Sequence, residues 1–180
     1  MKPIFNRLLS GILSVAVTLS AVPIISAHAE ESPEMYPYTL FAASYNEGAI
    51  TINADNTCVN GNIAANGTIV SSGNFNVNGT KTENADEPMI IIFDKIDNQY
   101  FVDTAVDEHE DNYVLEETNI QVNIPTEVQG EALLSGNINI TTAFKALDDI
   151  SLSGDVENTD NSVIFSQYGN IVMDSQNVNL

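Results

Sequence analysis

The sequence predicts an all-β fold: a parallel β-helix, or β-solenoid, in short coils of about eighteen residues, with one short helix packed on it, after a cleaved signal peptide. Three observations predict it. Gly61, Gly67, Gly73 and Gly79 recur at an interval of six, and Ile63, Ile69 and Phe75 each stand two residues past a glycine. The segment Leu134-Ser135-Gly136-Asn137-Ile138 returns as Leu152-Ser153-Gly154-Asp155-Val156, three such steps further on. Apolar pairs two apart, Ile138/Ile140, Ile150/Leu152, Val163/Phe165, Ile171/Met173 and Val178/Leu180, suit strands with one face inward. The register leaves the handedness of the solenoid open and names no activity.

At the N-terminus, Lys2 and Arg7 precede an apolar run from Leu8 to Ile25, and Ala27-His28-Ala29 fits a cleavage site. Residues 1–29 therefore read as a secretory signal peptide, and the predicted location is extracellular or cell-surface. Cleavage leaves three lysines, Lys81, Lys95 and Lys145, and no arginine against 25 acids, a formal charge of −22. So acidic a chain cannot neutralise a run of phosphates, which excludes nucleic acid as a partner, and an anionic membrane surface repels it.

Residues 30–48, with Pro33, Pro37, Tyr36, Tyr38 and Phe41, read as a lead-in or cap that adds a first strand or covers the open end of the core, and residues 49–180 as a single solenoid domain. Within it, Gly followed by Asn or Asp and then an apolar residue occurs at Gly61, Gly73, Gly136, Gly154 and Gly169. Asn tolerates left-handed backbone at corners, and stacked Asn side chains can hydrogen-bond from coil to coil. A meander of hairpins is the competing fold, because Asn-Gly is also a hairpin turn signal; the step of six is shorter than the roughly 8–12 residues between turns in a sandwich.

The blocks are separated by an insertion at about 81–118. Met89, Ile92, Phe93, Ile96 and Tyr100 lie three or four apart after Asp86-Glu87-Pro88, which predicts a helix from about Glu87 to Tyr100; a buried strand from Met89 to Phe93 is the alternative. Asp103 to Glu117 then reads as a charged loop, with strand resuming at Asn119.

Candidate chemistry is sparse. Cys58 stands alone, which excludes an intrachain disulfide and suits a small buried residue in a solenoid wall. After cleavage His109 is the one imidazole, in a run of acids that favours its protonated form and fits a solvated loop better than a catalytic base. Asp107, Glu108, Glu110 and Asp111 around it are the candidate ligands for calcium, although the run lacks the glycine of a calcium loop. No catalytic set emerges, and a chain that lacks arginine after cleavage is poorly equipped to grip a uronate substrate.

The short coils resemble those of bactofilin-type polymer-forming proteins. More closely, Ala49-Ile50-Thr51-Ile52-Asn53-Ala54-Asp55, Asn60-Gly61-Asn62-Ile63-Ala64, Ile92 to Phe101, Pro125 to Glu131 and Asp174 to Leu180 are similar to the N-terminal region of large secreted surface proteins of clostridial gut bacteria. That resemblance spans the predicted mature chain, implies a secreted surface setting, and brings no established activity or catalytic residues with it. The relatives continue into further coils, whereas this sequence stops at Leu180 within a strand-like repeat. A bare final coil would leave donors and acceptors unpaired, so the expectation is a partial gene product, a cap, or end-to-end self-association. The expected function is a secreted non-catalytic module acting as scaffold, spacer or adhesion platform, with a glycan or a cell-surface protein as partner. The alternatives are a carbohydrate-active β-helix enzyme and a self-assembling subunit.

Overall fold

The computed structural model describes residues 38–84, 106–158 and 162–180. All regular structure among them is β. The predicted helix at 87–100 lies outside the described residues. Seven short strands form one parallel sheet: β1 (Leu40–Ala42), β3 (Ile63–Ala65), β5 (Lys81–Thr82), β6 (Asp107–His109), β8 (Thr126–Val128), β10 (Ala143–Ala146) and β13 (Val163–Ser166). The second sheet holds the longer β2 (Ile50–Val59), β4 (Ile69–Val77), β7 (Tyr113–Val122), β9 (Ala132–Ile140) and β14 (Ile171–Asn179), with β11 (Ile150–Ser153) and β12 (Val156–Asn158) sharing one layer. Every pairing is parallel, and partners such as Ile50 with Ile69 and Ile138 with Val156 lie nineteen and eighteen residues apart. This is the predicted β-solenoid.

The six-residue glycine interval is one straight segment plus one corner. Long strands break midway: register shifts fall between Asn53 and Asn56 and between Glu116 and Asn119, and β11 and β12 are two halves separated at Gly154-Asp155. Each coil therefore has three segments and three corners. Two corner glycines show why the residue is needed. Gly73 has φ +68° and Gly154 φ +111°, and a Cβ on either would lie 2.2 Å from the Ala54 carbonyl oxygen or 2.1 Å from that of Gly136. A side chain there meets both a left-handed backbone and the coil beneath.

Inward positions stack into columns. Ile120, Ile138, Val156 and Val178 are buried in register, followed by Thr57 and the partly buried Phe75. Leu134, Leu152, Met173 and Ile52 form a second column, all at or near zero exposure. The inner five strands of the short sheet are buried on both sides. Leu40, Ile63, Phe144 and Ile164 face the main core, while Phe41, Ala64, Ala143, Val163 and Phe165 make a separate cluster on its outer side, with the Phe41 and Phe165 rings stacked at 5.3 Å. Burial on both sides explains why Val163-Ile164-Phe165 reads as an unbroken apolar run.

The spatial order of coils differs from their order in sequence. The long-strand layers run β7, β9, β11/β12, β14, β2, β4, and the short sheet runs β6, β8, β10, β13, β1, β3, β5. The last segment of the chain thus lies beneath the first block. β14 pairs along eight positions with β2, from Ile171 with Ile50 to Asn179 with Cys58. Beyond that register, the Leu180 N–H donates to the Cys58 carbonyl at 2.8 Å and the Leu180 carbonyl accepts from Asn60 N–H. The expectation of an unpaired final coil at Leu180 is corrected here: the layer that follows it in space is Ile50–Val59 of the same chain. Within the lead-in, residues 40–42 form a strand of the sheet, β1, which pairs with β13 on one edge and β3 on the other. Among the described residues, the outermost layers are β4 with β5 and β6 with β7.

Replacing Gly154 by Ala is expected to lower unfolding stability by at least about 1–3 kcal/mol, the scale of a strained non-glycine backbone. Ser153→Ala, one residue away and exposed, should stay within about 0.5 kcal/mol. Urea unfolding of the two variants measures the difference.

Candidate functional site

The acidic run lies in the outermost coil among the described residues. Asp107, Glu108 and His109 form β6, paired with Thr126, Glu127 and Val128, and Glu110-Asp111 leads by a turn into β7. The predicted charged loop is therefore strand over residues 107–109 and again from Tyr113. A strand that neighbours one other among the described residues keeps its backbone ladder while its charges reach water. Asp107 lies 3.3 Å from His109 Nε2, and the His109 ring stacks on Tyr113 at 4.0 Å. Burial raises the Tyr113 hydroxyl above its ordinary pKa, and the negative charges of Asp107 and Glu117 add to the rise. Asp107 and Glu108 alternate along an extended strand, so their side chains leave on opposite sides. Among the described residues, no group of three or more His, Cys, Asp or Glu side chains is placed to hold a metal ion.

A second set of polar residues runs the length of the solenoid at one corner. Asn119, Asn137, Asp155, Asn177, Asn56 and Asn74 occupy equivalent positions in six successive layers. Asn74 donates to Asn56 at 3.2 Å, Asn56 to Asn177 at 3.5 Å, the Asn177 backbone to Asp155 at 3.1 Å, and Asn137 to Asn119 at 3.3 Å. This is the amide ladder that the Asn content predicts. Cys58 stands beside it, paired in register with Asn179 and Asn76, and is partly exposed, against the expectation of a buried wall position. Strand alternation is the reason: Thr57 and Val59 take the inward places.

Two features were not foreseen. The first is an ion pair on the outer side of the short-strand sheet, Lys145 Nζ to Glu127 Oε1 at 3.2 Å, with the side chains 3% and 7% exposed. Gln129 Nε2 donates to the same oxygen at 3.2 Å. The residues are register partners one coil apart, so the coil length would have brought them together.

The second is a corner carrying the two most exposed large rings among the described residues, Tyr45 at 64% and Tyr168 at 68%. They belong to adjacent layers, because β1 pairs with β13 and Asn46 Nδ2 bonds Asn170 Oδ1 at 3.2 Å. Asp149 Oδ1 accepts from the Asn170 backbone at 2.6 Å and its side chain at 3.2 Å, and Gln167 Nε2 bonds the Tyr168 hydroxyl at 3.0 Å. The corner thus offers two aromatic faces beside amides and a carboxylate. Amphipathic rings of this kind supply contact area at low entropic cost when something binds. Comparison with protein-family models, with curated proteins and with solved structures gives no match for this chain.

The buried pair generates a stability prediction. Lys145→Ala removes the cation beside a buried carboxylate and should cost about 3–5 kcal/mol, whereas Lys145→Met combined with Glu127→Leu should recover most of that loss. Chemical denaturation of both variants checks it.

Proposed function

We propose that this protein is a secreted or cell-surface solenoid module without catalytic activity, which acts as a rigid scaffold or spacer and as an adhesion platform. The observation that carries this reading is the unbroken stack: two blocks of the chain join through eight register pairs between β14 and β2 into one column of layers. Seven stacked short strands at about 4.8 Å spacing extend roughly 29 Å along the axis. Such a column fixes the distance between whatever lies at its two ends. The signal-peptide pattern and the formal charge of −22 after cleavage support an extracellular setting.

The adhesive surface in this reading is the Tyr45 and Tyr168 corner. Pyranose rings present C–H faces that stack on aromatic rings and hydroxyls that bond amides and carboxylates. Asn46, Asn170, Gln167 and Asp149 stand beside the rings for the second task. A neutral saccharide suits the site better than a polyanionic one, which the overall charge would repel.

A glycan array probed with the protein should show binding to neutral saccharides, reduced at least tenfold in a Tyr45→Ala/Tyr168→Ala variant that retains its thermal stability. Binding unchanged by the double substitution would remove this corner from the account. Turnover of plant polysaccharides by the protein would replace the whole reading with the carbohydrate-active one.

A further inference from the structure

The amide ladder is one side of a larger polar face. In each long-strand layer the inward residue of the Ile120, Ile138, Val156 and Val178 column, continued by Thr57 and Phe75, has an outward residue on either side of it. Strand alternation turns both flanking residues to the same face, about 7 Å apart. The first flank is the ladder that runs from Asn119 to Asn74. The second is a parallel column, Gln121, Asn139, Glu157, Asn179, Cys58 and Asn76, in register over the same six layers. Every position in the two columns is exposed or partly exposed. Apart from Cys58 each member is an amide or a carboxylate, and neither column contains a base.

Between the columns the surface is indented. One depression crosses three layers, with Asn119, Asn137 and Asp155 on one wall and Gln121, Asn139 and Glu157 on the other. A second continues through the next three, with Asn177, Asn56 and Asn74 facing Asn179, Cys58 and Asn76. The six layers span about 24 Å at the usual strand spacing of about 4.8 Å. The ladder also orients its members. Asn56 uses one N–H toward Asn177 and one lone pair toward Asn74, and an amide has one more of each to offer outward. Side chains held in place before a ligand arrives lose little freedom when it binds.

Charge, chemistry and period together select an occupant. Asp155 and Glu157 are the charged members of the face, so a polymer carrying phosphates or uronates is repelled, and so is a second copy of a chain this acidic. A peptide laid along the axis would repeat its backbone groups every two residues, at about 6.6 Å, out of step with the layers. In an extended β-linked glycan each sugar advances by close to one layer, and hydroxyls leave both edges of the ribbon, one edge for each column. Amides give and accept hydrogen bonds with hydroxyls, and a carboxylate accepts stronger, charge-assisted ones.

We propose that this trough binds one extended, neutral β-linked glycan chain, which lies along the solenoid axis with one sugar to each layer. The proposal takes its ligand class from the reading of the module as a saccharide-binding platform, but it stands on residues apart from the Tyr45 and Tyr168 corner. Because each layer repeats the same pair of contacts, every added sugar binds within an already tethered chain, and affinity rises with length until the layers are filled.

Titration calorimetry with the β-linked disaccharides and hexasaccharides of glucose, mannose, xylose and N-acetylglucosamine tests it. For at least one of these sugars the hexasaccharide should bind at least tenfold more tightly than the disaccharide. An Asn139→Ala/Asn179→Ala variant, folded by circular dichroism, should lose at least tenfold in affinity for that hexasaccharide, while Tyr45→Ala/Tyr168→Ala should keep it. If the first variant does not fold, Glu157→Ala at an exposed position takes its place, with a loss in the same direction expected. No binding of any of the four hexasaccharides, equal affinity for two sugars and six, or a folded trough variant that binds as the unaltered protein does overturns the proposal. Saccharide binding abolished by the tyrosine substitutions and untouched by those in the trough would leave the corner reading in place and remove this one.

Discussion

The backbone ladder between β14 and β2 is the interaction on which the rest of the structure depends. It joins the final coil to the first block, and without it the molecule would have two open cores instead of one column. The pairing extends from Ile171 with Ile50 to Asn179 with Cys58 and is prolonged by the bonds between Leu180 and Cys58 and between Asn60 and Leu180. Inward residues continue across the joint without interruption: Leu152, Met173 and Ile52 lie in one column, and Ile164 and Leu40 in another. The short sheet crosses the same plane through β13 and β1, where Phe165 and Phe41 stack on the outer side. Burial and hydrogen bonding therefore change little on passing from the C-terminal block to the N-terminal one, although the two are distant in sequence.

Much of the coil was legible because it is written locally. A corner needs a residue that accepts an unusual backbone conformation or a close approach, and glycine at Gly73 and Gly154 marks both. The inward pairs two apart follow from strand alternation alone, and the amide ladder follows from Asn recurring at a fixed corner. The order of coils was not legible for a physical reason. Parallel coils of nearly equal length present similar edges, so Ile150-Ser151-Leu152, Ile171-Val172-Met173 and Ile50-Thr51-Ile52 are nearly interchangeable as neighbours. Sequence order suggested that a repeat ending at Leu180 lacked its next layer; the layer exists, supplied by residues read more than a hundred positions earlier.

The candidate surfaces divide along the same line. The Lys145–Glu127 pair lies one coil length apart and was within reach of the repeat period, had the charged residues been placed on it. Tyr45 and Tyr168 share a corner only because β1 lies against β13, so no local pattern could place them together. The acidic run misled in the opposite direction: its composition suggested a solvated loop, but backbone pairing with β8 outweighs side-chain preference when the charges can still reach water. Cys58 shows how a one-residue alternation decides exposure, since its neighbours Thr57 and Val59 take the core. In each case the structural role followed from position in a coil rather than from residue type.

Residue-resolved hydrogen exchange at the joint tests the central claim most directly. If the first block caps the final coil, the Leu180 and Asn60 amides, bonded to Cys58 and Leu180 respectively, should be protected to the same degree as those of the interior strand β9. Exchange at Leu180 and Asn60 at the rate of an open strand end, with β9 still protected, would contradict it and would mean that the two blocks are not one solenoid.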